Sequence, residues 1–88
     1  MPHVEIKIYK GRTEEQKQKC ADMVAEAISK SLGCNLSSVS ISIKDIDPDN
    51  WKEDVYDKEI INSKTLYKKP GYSYDKYFSW WTYHIKKG

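Results

Sequence analysis

Hydrophobic and polar residues alternate strictly in two separate stretches of this chain. Strict alternation is typical of a β-strand with one buried face. In residues 3–9, HVEIKIY, three aliphatic side chains alternate with polar ones, and Gly11 interrupts the pattern. Residues 38–46, SVSISIKDI, alternate in the same way as far as Lys44. The sequence therefore predicts two strands, each with an aliphatic face and a polar face that meets either water or another copy of the same sheet.

The segment between these strands has the start signal, the periodicity and the stop signal of one long helix. T-E-E-Q at 13–16 is a capping box, in which the Thr13 hydroxyl accepts from the Gln16 backbone N–H. Gly33 is suited to end the helix in the left-handed conformation. The positions expected to face the sheet are Cys20, Val24, Ala27, Ile28, Ser31 and Leu32. Strand, helix and strand form a β-α-β unit with parallel strands.

Beyond the second strand the pattern is weaker. D-P-D-N-W at 47–51 is a turn, with Pro48 suited to the first position of a short helix. A second helical pattern then runs to the K-K-P-G of 68–71 through Tyr56, Ile60, Ser63 and Tyr67. Residues 72–85 carry aromatic side chains on both faces of a potential strand. Because such a strand would aggregate if exposed, we expect it to pack on a second subunit.

Composition adds an uneven charge distribution to this picture. Residues 1–63 carry nine basic and twelve acidic side chains, whereas residues 64–88 carry six lysines and one aspartate. No apolar run approaches the ~20 residues of a membrane helix, and the chain opens without the pattern of a signal peptide. We therefore expect a cytoplasmic protein with no membrane partner. Cys20 and Cys34 lack metal-ligand spacing and are expected to be buried thiols.

Two residues near the amino terminus suggest chemistry. Pro2 follows Met1 directly, and a second residue this small permits removal of Met1. The exposed secondary amine would be a rigid general base, since α-amino groups titrate near ~7.7–8.0. Arg12 is the one arginine of the chain, and its guanidinium can bind a carboxylate through two parallel hydrogen bonds. Arg12 lies some ~30 Å along the chain from Pro2, so the two meet only across an interface or if the chain doubles back.

These residues carry a resemblance. The opening P-H-V-E-I-K-I-Y-K-G-R-T-E-E-Q-K resembles that of the 4-oxalocrotonate tautomerase family, and the similarity continues through A-I-S-K-S-L and L-S-S-V. The later K-K-P-G-Y-S resembles the dimeric bacterial branch of that family, whose members tautomerise phenylpyruvate. The resemblance covers about residues 2–74. It implies a single domain over 1–88, with 2–74 as the family core and 75–88 as a carboxy-terminal aromatic extension. The implied fold class is α+β: a two-layer β-α-β protomer with one main helix on parallel strands, plus a carboxy-terminal helix.

The resemblance also implies an activity and a site. The enzyme would be a cofactor-free and metal-free tautomerase of a small 2-keto acid or its enol, acting as a homo-oligomer, with a dimer favoured. Pro2 matches the catalytic base, Arg12 the arginine that binds the substrate carboxylate, and Trp51 an aromatic wall. Ser40 replaces a second substrate-binding arginine of the family. Because serine offers one neutral hydrogen bond, a monoacid with an apolar far end would fit better than a dicarboxylate.

Other interpretations stay open from the sequence. The basic, aromatic residues 64–85 would also suit a module that binds single-stranded nucleic acid or a protein partner. The same fold could instead serve a hydratase or decarboxylase of a small unsaturated acid, although no carboxylate that would activate water is assignable. We interpret His3 as a strand or interface histidine. Asp45, Asp47 and Asp49 are interpreted as turn and helix-cap acids, because their loop lacks the pattern of a calcium site.

Overall fold

The two alternating stretches form a parallel two-stranded sheet. The computed structural model describes residues 1–74, in which β1 spans His3–Tyr9 and β2 spans Ser40–Ile46. The strands pair in parallel, with His3 opposite Ser40 and Ile6 opposite Ile43. The predicted parallel pairing is confirmed. The second strand begins two residues later than the alternation suggested, because residues Leu36–Ser38 form a 3₁₀ turn closed by the Val39 N–H and the Leu36 carbonyl.

Helix α1 spans Glu14–Leu32, between the two strands. Its capping box is formed as predicted: the Gln16 N–H donates to the Thr13 hydroxyl at 3.1 Å, and the Thr13 N–H donates to the Gln16 side chain at 2.9 Å. Gly33 ends the helix at φ 68°, a left-handed conformation that a side chain disfavours. Glu14 and Glu15 in the first turn and Lys30 in the last turn complement the helix dipole.

The stripe of α1 that faces the sheet differs from the predicted one. Val24 and Ile28 are half-buried as expected, but Cys20, Ala27, Ser31 and Leu32 are exposed. The half-buried positions are Lys17, Ala21, Val24, Ala25, Ile28 and Ser29. The helix lies mainly over β2, and an ion pair of 3.0 Å joins Lys17 to Asp45 of that strand. Both cysteines are free thiols, but Cys20 is exposed and Cys34 only half-buried, so the expectation of buried thiols is wrong.

The sheet and α1 belong to a compact unit, Met1–Trp51, in which no residue is buried. Its aliphatic side chains stay half-covered, and each strand has one edge that pairs with nothing within residues 1–74. Two strands and one helix have too little apolar area to enclose a core alone. The apolar face of this unit is therefore only partly removed from water.

A second compact unit starts at Lys52. Residues Lys52–Ile61 form a π-helix whose Val55 and Tyr56 are buried. The predicted helix running on to Tyr67 is wrong: the helix ends at Ile61, and Tyr67 is fully exposed. At the end of this helix a side chain bonds to a backbone carbonyl: the Asn62 side-chain amide donates to the Asp57 carbonyl at 2.6 Å.

Tyrosine side chains gather around Tyr56 in this unit. The ring of Tyr56 lies 5.6 Å from that of Tyr72 and 4.9 Å from that of Tyr74, between centroids. Tyr72 and Tyr74 therefore fold back on their own chain. The predicted packing of residues 72–85 on a second subunit and the proposed role of the 75–88 extension fall almost wholly outside the described residues. Nowhere between Met1 and Tyr74 is there a helix with the length and apolarity needed to cross a bilayer.

Candidate active site

Pro2 and Ser40 lie side by side at one end of the sheet. The Ser40 N–H donates to the Pro2 carbonyl at 3.1 Å, so the parallel pairing starts at Pro2. The Ser40 hydroxyl also makes a hydrogen bond of 2.7 Å with Nδ1 of His3, on the face of the sheet opposite to α1. Pro2 is half-buried, whereas Met1 before it is fully exposed. This end of the sheet thus combines the candidate base with a hydroxyl and an imidazole.

Arg12 lies at the other end of β1. Gly11, at φ 122°, turns the chain out of the strand in a conformation that favours glycine. The Arg12 guanidinium then folds back, and its Nη1 donates to the Tyr9 carbonyl at 3.3 Å. The bond is long and exposed, so most of the donors of the guanidinium stay available to a ligand.

Trp51 packs at this same end. Its ring meets the Tyr9 ring edge-on, with centroids 5.1 Å apart and planes at 82°. The 3₁₀ turn Pro48–Asn50 presents Trp51, and Asp47 caps that turn by accepting from the Asp49 N–H at 2.9 Å. The predictions that Pro48 starts a short helix and that Asp47 is a cap residue are confirmed. Arg12 and Trp51 thus share the end of the sheet marked by Tyr9.

The polar face and the turn are held by ion pairs. Lys10 Nζ lies 2.8 Å from the Asp47 carboxylate, and this hydrogen bond raises the pKa of Lys10 and lowers that of Asp47. On the open face of the sheet, Glu5 lies 3.4 Å from Lys44 and 3.5 Å from Lys7. The charge of Lys44 is the main cause that lowers the Glu5 pKa. Both carboxylates are therefore ionised at neutral pH.

An open hollow lies beside Arg12 on the helix side of the sheet, between the strands and the first turns of α1. Its floor is aliphatic and its rim is polar. The lining residues are Ile6, Ile8, Arg12, Gln16, Lys17, Cys20 and Ile43. A guanidinium beside an aliphatic floor suits a small acid whose remainder is apolar.

The four predicted site residues form two pairs rather than one cluster. Pro2 contacts Ser40, while Arg12 and Trp51 both contact Tyr9. The seven residues of β1 separate the pairs by about 20 Å at ~3.3 Å per residue. The sequence missed that His3 bonds to Ser40. The available signal was the parallel register, which places His3 opposite Ser40 once the start of β2 is known.

Three comparisons with known proteins each find chains similar to this one. The family model described as "Tautomerase enzyme" matches residues 2–55. The chain is 41% identical over 76 residues to the tautomerase PptA of Pectobacterium carotovorum, covering 84% of this chain and all of that one. It is 39% identical over 75 residues to the tautomerase PptA of Escherichia coli, covering 83% of this chain and 99% of the relative. A solved 4-oxalocrotonate tautomerase isozyme from Methylibium petroleiphilum superposes with a TM-score of 0.55 at 34% identity, over 57% of this chain and 81% of that chain.

Proposed function

The chain belongs to the tautomerase family of enzymes, and from this membership we propose that it interconverts a small 2-keto acid and its enol. The base is the Pro2 nitrogen, freed by removal of Met1. It takes a proton from the enol hydroxyl or from the carbon next to the carbonyl and returns it to the other position. No cofactor is needed, because the same nitrogen accepts and donates the proton.

A terminal proline suits this task for two physical reasons. A free α-amino group titrates near ~7.7–8.0, so a useful fraction is neutral at physiological pH. The ring and the Ser40 N–H bond to the Pro2 carbonyl restrict the motion of the nitrogen, so it stays aligned with the substrate. With Met1 retained, the same nitrogen is an amide without basicity.

The proposal that two protomers share the active site rests on the separation of the two residue pairs. Pro2 with Ser40 and Arg12 with Trp51 lie at opposite ends of the sheet. A second copy running the other way would bring the Arg12 end of one protomer to the Pro2 end of its partner. The half-covered aliphatic residues of the Met1–Trp51 unit support such a homodimer, as do the strand edges that pair with nothing within residues 1–74.

Each remaining site residue then has a physical role. Arg12 binds the substrate carboxylate with its planar fork, and the Trp51 and Tyr9 rings exclude water from one side. Ser40 gives one neutral hydrogen bond, so we propose a monoacid with an apolar or aromatic far end, such as phenylenolpyruvate. The aliphatic floor of the hollow beside Arg12 supports that choice.

We also propose that residues 1–88 act as one tautomerase domain in the cytoplasm. The Pectobacterium relative aligns over its full length across both compact units, which supports one functional domain. Both cysteines are free thiols, as is usual in a reducing compartment.

The test compares protein with and without Met1, verified by intact mass, in a phenylenolpyruvate ketonisation assay. We expect activity only after removal of Met1. Pro2→Ala leaves a flexible primary amine and should lower turnover by ~10²–10⁴-fold, the range of a positioned base. Full activity in protein verified to retain Met1 would disprove the role of Pro2.

A further inference from the structure

His3 and Ser40 form a polar pair beside Pro2, and the mechanism above uses only the serine. The His3 Nδ1 and Ser40 Oγ atoms are 2.7 Å apart, and the Ser40 N–H donates to the Pro2 carbonyl. Within residues 1–74, this is the one side-chain hydrogen bond that either residue makes. Both side chains are exposed, so their remaining donors and acceptors face solvent at the Pro2 end of the sheet.

The protonation state of His3 determines how many hydrogen-bond donors of this pair are free to bind a substrate. In one neutral tautomer the serine hydroxyl donates to Nδ1, and the Nε2–H stays free. In the other tautomer Nδ1–H donates to the serine, and the hydroxyl proton stays free. Either way the pair offers one donor. An imidazolium must donate from Nδ1, which leaves the Ser40 hydroxyl and the Nε2–H both free beside a positive charge.

Three charged side chains, one acidic and two basic, lie next to the pair on this face of the sheet. Glu5 is the next residue of β1 on this face, and Lys7 and Lys44 flank it. Lys44 lowers the Glu5 pKa, so Glu5 stays ionised between pH 6 and 8. Helix α1 packs on the opposite face of the sheet. The titratable group next to His3 in the chain is the Pro2 nitrogen, once Met1 has been removed.

We propose that His3 determines substrate specificity: the His3–Ser40 pair accepts an apolar or neutral substrate end when His3 is neutral, and a second carboxylate when His3 is protonated. This inference rests on the function proposed above. It predicts that the preference for dicarboxylates increases as the pH falls, because the protonated pair adds a donor and a charge.

The experiment measures kcat/KM for a 2-hydroxydienedioate and for phenylenolpyruvate between pH 8 and 6. Titration of Pro2 changes both values alike and cancels in their ratio. We expect the dicarboxylate-to-monoacid ratio to rise about three- to fivefold toward pH 6, the effect of one exposed charge pair. His3→Asn keeps a partner for Ser40 but cannot take the proton, so its ratio should stay flat. Ser42→Ala, a matched serine opposite Glu5, should keep the rise.

A ratio that is flat in the unmodified protein, or that rises equally in His3→Asn, would overturn the proposal. A second measurement does not need catalysis: NMR of the His3 ring in Pro2→Ala, with the resonance identified by its loss in His3→Asn. Fumarate should shift that resonance at pH 6 much more than at pH 8, and benzoate should shift it little at either. Equal shifts at both pH values would contradict the role of His3. Full activity of Pro2→Ala would instead contradict the proposed base and leave this NMR result standing.

Discussion

Replacing Arg12 by lysine separates its proposed role in binding from any role in the fold. Within residues 1–74 the guanidinium makes one hydrogen bond, from Nη1 to the Tyr9 carbonyl, and this bond is 3.3 Å long and exposed. A bond of this kind contributes at the low end of ~0.5–1.5 kcal/mol, so the free energy of unfolding should change little. Lysine keeps the charge and loses the second parallel hydrogen bond to a carboxylate.

The expected loss in catalysis follows from that hydrogen bond. A hydrogen bond to a charged group contributes about 1.5–3 kcal/mol, which corresponds to a ~10–150-fold fall in kcat/KM. The assay is phenylenolpyruvate ketonisation beside urea unfolding. Lys19→Ala, which removes an exposed cation from α1, serves as the control and should leave both unchanged. Wild-type kcat/KM in both Arg12→Lys and Arg12→Ala would contradict the binding role of Arg12, as would a loss of activity that unfolding fully explains.

Three further predictions concern stability. Thr13→Ala removes the hydroxyl of the capping box and should lower the free energy of unfolding by about 1 kcal/mol in a urea titration, whereas Thr13→Ser should retain most of it. Gly33→Ala places a side chain at φ 68° and should also destabilise the protein by about 1 kcal/mol, with Ser31→Ala as an exposed control. The pKa of Glu5 is lower in the folded protein than its ordinary value of 4.5, so ionised Glu5 stabilises the fold at pH values above 4.5. This stabilisation is lost as the pH falls through the pKa that Glu5 has in the folded protein. In Glu5→Gln, the free energy of unfolding should therefore fall less steeply as the pH is lowered into the acid range. An unchanged pH dependence would contradict the Glu5–Lys44 pair.

The local elements of the fold were predictable because their signals are local. Alternation identified both strands, and the capping box and Gly33 bounded α1. The face of α1 was not predictable, because periodicity alone does not show that the helix lies over β2, where Lys17 pairs with Asp45. The spacing of Tyr56, Ile60, Ser63 and Tyr67 presumed an α-helix, whereas the chain forms a wider π-helix that ends at Ile61.

The site was predictable in part. Position and resemblance singled out Pro2 and Arg12, and strand length predicted their separation. The partner of His3 required the register of the sheet, which depends on where β2 starts. Alternation placed that start at residue 38, but the 3₁₀ turn Leu36–Ser38 delays it to Ser40. A shift of one residue would turn every side chain of β2 to the other face.

In the proposed site, Pro2 of one protomer works with Arg12 of its partner, so a mixture of two inactive variants should regain activity. Pro2→Ala and Arg12→Ala proteins are unfolded together and refolded at equal concentrations, with each refolded alone as the control. Random pairing makes half of the dimers hybrids, each with one intact site, so the mixture should regain about a quarter of wild-type ketonisation activity. A mixture no more active than the average of the two variants, although hybrids are detected by native mass spectrometry, would contradict a site shared between protomers.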